Sequence, residues 1–451
     1  MLKLSGTVPF RTFRTFGDGP LSRLPTLRGR GVVCTLVVAA GLAPVISLAL
    51  PAGEARAQNP VYQAFFADIC AGAGAPGGAL AARCGETPGG GGDLSGDSED
   101  SLNPSQFVGT NEGAILRARA RQRELAARAE AMRGETADPD RRPRAGDEEP
   151  ARFSLLLNGR GSWYERDATS SERGLEGDVW SVQAGGDVRV AEGAAVGALF
   201  TYDRLDSEFD ADAPGVSFSP SGNEGQVDAN WYSFSVFASF ELPVDGAYAD
   251  IAGSAGFADY EIGRNVVFQE TNRVVPQTSV ATRAEPDAWD VQGSGTLGYD
   301  FHTGPITVGP YGRLVYVRTE IDGFTETDVS GSGLHMSVDE QVRDSLVTII
   351  GLRGSYAVSL PFGGLLPQAR FEYEHEYLRD AQTARTSFPL DANGTTFAVR
   401  GENPDRNYFN LGGSLLLVLP HGWLPFVDYQ GLVGYDDLRR HTVTFGVRKE
   451  L

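Results

Sequence analysis

From Phe153 onward the chain alternates apolar and polar side chains one by one. Phe153, Leu155, Leu157 and Trp163 interleave with Ser154, Asn158, Arg160, Ser162 and Tyr164. Trp180, Val182, Ala184, Val188 and Val190 interleave with Ser181, Gln183, Asp187 and Arg189. The pattern returns in Tyr232–Leu242 and Trp289–Phe301, and in Phe371, Tyr373 and Tyr377 against Arg370, Glu372, Glu374 and Glu376. A period of two gives a strand one greasy face and one wet face. It predicts strands near 152–165, 177–190, 194–207, 229–242, 247–262, 288–302, 306–321, 342–358, 365–380, 406–419, 423–434 and 438–450. Each exceeds the ~9–11 residues that a tilted strand needs to cross a bilayer.

The connections between these strands are asymmetric. Every second one is a tight turn: Ala191-Glu192-Gly193, Pro243-Val244-Asp245-Gly246, His302-Thr303-Gly304-Pro305, Pro361-Phe362-Gly363-Gly364 and Pro420-His421-Gly422. The others are mostly long and polar, around 208–228, 263–287, 322–341 and 381–405, with two shorter ones at 166–176 and 435–437. A soluble sandwich has no reason to gather its tight turns at one end. A bacterial outer-membrane barrel does, with short periplasmic turns and long outward loops. Lipid offers the backbone no hydrogen bonds, so the sheet has to close on itself. The expected fold is all-β, a twelve-stranded antiparallel transmembrane β-barrel over 151–451. Trp163, Trp180, Tyr232, Trp289, Tyr299 and Trp423 fall near strand ends, where interfacial girdles belong.

The residues ahead of the barrel follow other rules. Six basic residues from Lys3 to Arg30 precede an apolar run, Gly31–Leu50, and Ala55-Arg56-Ala57 fits a small-residue cleavage site. Residues 1–57 therefore read as an export signal peptide. Export leaves Cys70 and Cys84 in an oxidising compartment, where a disulfide closing a short loop is expected. Residues 85–104 are mostly Gly, Asp and Ser, and they end the short exported segment 58–110 as a linker. Gly96-Asp97-Ser98 resembles the start of a GDSL-type esterase motif, but no parallel sheet with an Asp/His pair accompanies it. Residues 111–133 are rich in Ala, Arg, Glu and Leu and predict a helix capped by Thr110 or Asn111. Its large apolar residues are Ile115, Leu116, Leu125 and Met132, too few for a core stripe. Six Arg and three Glu make it basic. The readings open to it are a solvated spacer or a slender cationic rod in an acidic tube. Residues 134–150 read as a second linker.

Composition narrows the function. The 451 residues carry 39 Lys+Arg against 59 Asp+Glu, a net charge of −20. That balance argues against a nucleic-acid partner. His302, His335, His375, His421 and His441 are scattered, without metal spacing or a Ser/Asp partner set. No catalytic, cofactor or metal site is expected.

The stretch Gly174-Leu175-Glu176-Gly177-Asp178-Val179-Trp180 through Val190, followed by Val196–Tyr202, resembles the early strands of autotransporter β-domains. Leu424–Gly434 and His441–Leu451 resemble the end of that family. The resemblance covers about 151–451. It implies a helix threading the pore, outer-membrane lipid around the barrel, and periplasmic chaperones and the barrel-assembly machinery as partners of a monomer. We then expect Arg117, Arg119, Arg121, Arg123 and Arg128 to meet lumenal acids such as Asp187, Glu241, Asp290, Glu372 and Glu374. The C-terminal assembly signal would be Val443, Phe445, Val447 and Leu451, although the family usually ends in an aromatic residue and Lys449 interrupts the apolar register. Only a short segment precedes the barrel, where the family usually carries a long passenger. The expectation is a translocator that tethers 58–110 at the surface. The alternatives are a small porin or an adhesion protein acting through its long acidic loops.

Overall fold

The computed structural model describes residues 69–70, 80, 106–133, 153–169, 172–210, 225–269, 277–328 and 330–451. The expectations for 1–57, Cys84, the 85–104 linker and 134–150 lie outside them. Twelve long strands form the wall: β1 Phe153–Arg166, β2 Leu175–Ala191, β3 Ala194–Phe209, β4 Gly225–Glu241, β5 Ala247–Gln269 and β6 Asp287–Tyr299. They continue as β7 Ile306–Ile321, β8 Gln341–Tyr356, β9 Gly363–Glu376, β10 Asn407–Val418, β11 Trp423–Val433 and β12 Leu438–Glu450. Each pairs antiparallel with its neighbours in the chain.

Closure comes from β12 returning to β1, with Ser154 opposite Glu450 and Arg166 opposite Leu438. The Leu451 amide adds a last hydrogen bond to the Phe153 carbonyl at 2.9 Å. No wall strand is left with a free edge, which is what hydrocarbon demands of a sheet.

Burial is inverted relative to a water-soluble protein. Leu157, Phe234 and Leu297 are 55%, 57% and 65% exposed on the outside. Asn158, Gln183, Thr201 and Ser233 are buried inside. Trp163 and Trp180 meet edge-to-face on the outer surface, with ring centres 5.5 Å apart. Tight turns join β2 to β3, β4 to β5, β6 to β7, β8 to β9 and β10 to β11, all at one rim. At Gly193 (φ 70°) the backbone takes the left-handed form that glycine adopts without cost. His421 (φ 62°) adopts the same form in another of these turns.

Three long connections are more ordered than the sequence pattern suggests. β5 runs on to Gln269 and pairs with Gln277–Ala284, a hairpin rising from the wall where a loop is expected. Phe324–Thr325, Ser337–Val338, Thr383–Ser387 and Thr396–Arg400 build a separate four-stranded sheet over the loop rim. The strands of this sheet come from distant connections, and their pairing is invisible to a local period.

Candidate functional site: the helix-filled lumen

A one-turn helix, Gln106–Gly109, leads into α1, Glu112–Arg133. At ~1.5 Å per residue α1 is about 33 Å long, close to the ~30 Å of a hydrocarbon core. It lies inside the barrel, buried over nearly its whole length and on every side. That burial explains why its sequence lacks one continuous apolar stripe: the wall around it is mostly polar, with apolar patches only at some heights. Glu112 sits at the loop rim, accepting hydrogen bonds from Arg166 (2.8 Å) and Arg343 (2.7 Å). Arg133 lies at the turn rim, bound to Asp250 and donating to Ser239 at 3.1 Å. The helix therefore runs from the loop end down to the turn end.

Small residues let it fit. Ala114 and Ala118 are fully buried, and at Gly113 a Cβ would strike Leu205 and sit 2.6 Å from the Tyr164 hydroxyl. Lower down, Leu125, Ala129 and Met132 pack against Leu156, Leu199 and Phe237 of the wall.

Charge does the rest. Asp203 is the hub, taking Arg117 at 3.0 Å, Arg121, and Arg160 of the wall at 2.8 Å, with Ser181 as a further donor. Asp290 faces both Arg117 and Arg121, the latter at 3.7 Å. The Arg117 guanidinium also lies 3.7 Å from the ring centre of Trp231, itself fully buried. Arg119 binds Glu376 and donates to Ser345 (2.7 Å) and Tyr408 (3.0 Å). Arg123 meets Glu374 at 2.6 Å and Glu372 at 3.8 Å.

The traffic also runs the other way. Glu124 of the helix accepts from Arg160 at 2.9 Å, and Glu130 from Arg353 at 2.9 Å. These pairs are desolvated, so losing one partner strands a buried charge.

Of the acids expected to meet the helix cations, Asp290, Glu372 and Glu374 lie against them. Asp187 does not: it accepts from Arg448 of β12 at 3.0 Å, and Arg448 in turn reaches the Ala131 carbonyl at 3.2 Å. Glu241 is exposed at the end of β4, beyond the reach of the helix. Both sit near the turn rim, where the Leu125–Met132 face is apolar. Arg128 makes no ion pair among the described residues and instead stacks 4.4 Å from the centre of the Phe426 ring.

Pattern reading missed Asp203, Asp250 and Glu376. Glu376 shares the wet register of Glu372 and Glu374, so parity alone could have found it. Trp231, Leu156, Leu199 and Phe237 are apolar residues on the wet face, and that breach of alternation marks where the helix rests.

The filling is tight. The polar space between α1 and the wall near Arg123, Glu130, Arg133, Tyr311 and Arg370 has room for about one water. Cys70 is disulfide-bonded. Val443, Phe445 and Val447 lie on the outward register of β12, with Phe445 57% exposed. Leu451 ends at the turn rim, 61% exposed. The Lys449 ammonium sits 5.4 Å from the centre of the Trp423 ring, donating to the carbonyls of His421 and of Glu450 (2.8 Å). A lysine on the greasy register thus reaches polar groups at the rim.

A family model of the autotransporter beta-domain matches residues 155–430. Two relatives named Esterase EstA, from Pseudomonas aeruginosa and Pseudomonas putida, are each 25% identical over 256 residues, 55% of this chain. The chain spans 35% of their length. Among solved structures, the translocator domain of the autotransporter NalP from Neisseria meningitidis is 15% identical with a TM-score of 0.49, over 72% of this chain and 98% of that one. The β-domain of the Bordetella autotransporter BrkA is 16% identical with a TM-score of 0.44, over 66% and 100%.

Proposed function

Because the chain belongs to the autotransporter beta-domain family, we propose that it is a translocator-type barrel that carries a short N-terminal segment outward and holds it by a helix left in the pore. The barrel resides in the bacterial outer membrane, with its greasy face in lipid. In this reading residues 1–57 are removed on export, 58–110 emerge at the loop rim, and 134–150 return the chain to the periplasmic start of β1. The direction of α1 is the supporting observation: Glu112 lies at the long-loop end and Arg133 at the tight-turn end. A thread with that polarity delivers whatever precedes Glu112 to the outside.

An epitope inserted after residue 60 tests this. Antibody binding on intact cells is expected. Binding only after the outer membrane is permeabilised would overturn the proposal.

The barrel-assembly machinery, periplasmic chaperones and a monomeric state belong to the same proposal. So does an intact helix, since its arginines are tied to the wall at several heights. Full-size protein is expected in outer-membrane fractions, and a stable fragment starting near 134–150 would contradict it. The name esterase belongs to relatives of which this chain spans about a third, and the proposal assigns no catalysis here. A porin reading fits poorly with a lumen filled by a helix buried along nearly its whole length, where the polar gap near Arg123, Glu130 and Tyr311 fits about one water.

A further inference from the structure

The apolar residues on the inner face of the wall lie in layers. Near the loop end of β2–β5 and β7, Val179, Leu205, Val227, Trp231, Ile262 and Val317 share that face, each 2% exposed or less. Halfway down, the same face of β2–β5 turns polar, with Gln183, Thr201, Ser233 and Ser254. Nearer the tight turns it is apolar again at Leu199 and Phe237. A water-filled passage gains nothing from greasy layers, because bare apolar wall is unfavourable until something covers it.

α1 carries the same profile in the same order. Ile115 and Leu116, 0% and 4% exposed, belong to one apolar cluster with the six residues of the outer layer. Their height is fixed from both sides. Gly113, just before them, lies against Leu205, and the Arg117 guanidinium, just after, lies over the Trp231 ring. Arg121, Gln122 and Glu124 follow in the polar layer, meeting Ser254 (3.4 Å), Gln292 (3.1 Å) and Gln183. Leu125, Ala129 and Met132 complete the match at the inner apolar layer. From Ile115 to Leu125 the helix rises about 15 Å. Residues 85–104 ahead of it are mostly Gly, Asp and Ser, which offer an apolar layer little to hold.

We propose that Ile115 and Leu116 are the halt signal of the thread. The outer apolar layer retains them, and with Leu125 at the inner layer they select the depth at which outward movement ends. The polar linker slides past both layers, whereas a helix bearing large aliphatic side chains at this spacing is held. The inference rests on the translocator reading and names the feature of the passing chain that the barrel recognises. It adds a match of polarity to the match of charge, and it can be removed while every charge of α1 is kept.

The test uses the full-length protein in intact cells, with the epitope after residue 60 and Ala118→Cys as reporter. Ala118 is fully buried just inward of the pair. The probe is a polymer-linked maleimide too large to cross the outer membrane, and a chain without Ala118→Cys gives the background. Ile115→Thr with Leu116→Ser should let the helix overrun, so that labelling of residue 118 speeds up about tenfold or more. Ile115→Val with Leu116→Met, apolar throughout, should label as slowly as the parent. Val108→Cys, tested in a separate chain, distinguishes sliding from fraying, since fraying at the exit labels residue 108 alone. If the Thr/Ser chain gives no heat-shifted band, Ile115→Thr alone takes its place. Residue 118 equally protected in the polar and apolar variants, or labelling confined to residue 108, would overturn the halt signal and leave the translocator reading standing. An epitope hidden on intact cells in the parent would instead overturn that reading.

Discussion

Asp203 shows how much one buried carboxylate carries. It is bound to two helix arginines and one wall arginine with no access to water. Asp203→Asn leaves three cations facing a neutral amide, and breaking such buried pairs costs ~3–5 kcal/mol. The temperature at which the compact gel form is lost should fall clearly. Asp187→Asn, which faces only Arg448 among the described ion pairs, should lower it less. An equal effect of the two would refute the hub. Asp328, in the loops, responds to pH. Burial alone would raise its carboxyl, but hydrogen bonds from the hydroxyls of Ser330 and Ser332 and the amide of Gly333 outweigh it and hold it down at about 2. A depressed carboxyl stabilises fully above its unfolded value near ~4 and loses that contribution as pH falls toward 2. Exchange of the 330–333 amides should therefore be flat from pH 7 to 5, after correction for intrinsic rates, and rise below about 4. Asp328→Asn should remove that rise.

At the scale of elements, the twelve wall strands were legible because each greasy residue reports its own side of the sheet, so no knowledge of distant partners is needed. The outer part of β5 and its hairpin with Gln277–Ala284 were not, nor was the loop sheet, since both are defined by pairings between segments that look irregular alone. For α1, the basic, Ala-rich composition left a solvated spacer and a rod in an acidic tube both open, and its burial in the lumen decides for the rod. Composition did not give the depth at which each arginine would sit, so Asp187 and Glu241 were assigned to the helix from parity without height. Gly113 offers a direct test of the fit. Gly113→Val drives a side chain into Leu205 and the Tyr164 hydroxyl, and overpacking of this kind costs ~1–3 kcal/mol. Deleting 112–133 should raise planar-bilayer conductance well above that of the intact protein, and unchanged conductance would mean the helix is not what blocks the lumen.

The whole molecule depends on the seam between β1 and β12. Their ladder runs nearly the full height of the wall, and the Leu451 amide closes its last rung. Removing residues 442–451 would leave two open edges in lipid, with each unsatisfied backbone group costing several kcal/mol. The truncated chain should give no heat-shifted band, and should be degraded or aggregate before insertion. Leu451→Phe keeps the backbone hydrogen bond and should match or exceed the parent in the amount inserted.

The interleaving of opposite charges along α1 also limits how the thread can travel. Arg117, Arg121, Glu124 and Arg128 meet the wall in a fixed sequence of signs. A slip of about one turn, ~5.4 Å, would bring Glu124 to the height of Arg121 and set two carboxylates against each other at Asp203. Sliding in small steps is therefore uphill from the resting register, and the chain stops where its pattern of signs matches the tube. The same lumen that has to let a polypeptide pass would then also serve as the notch that ends its passage.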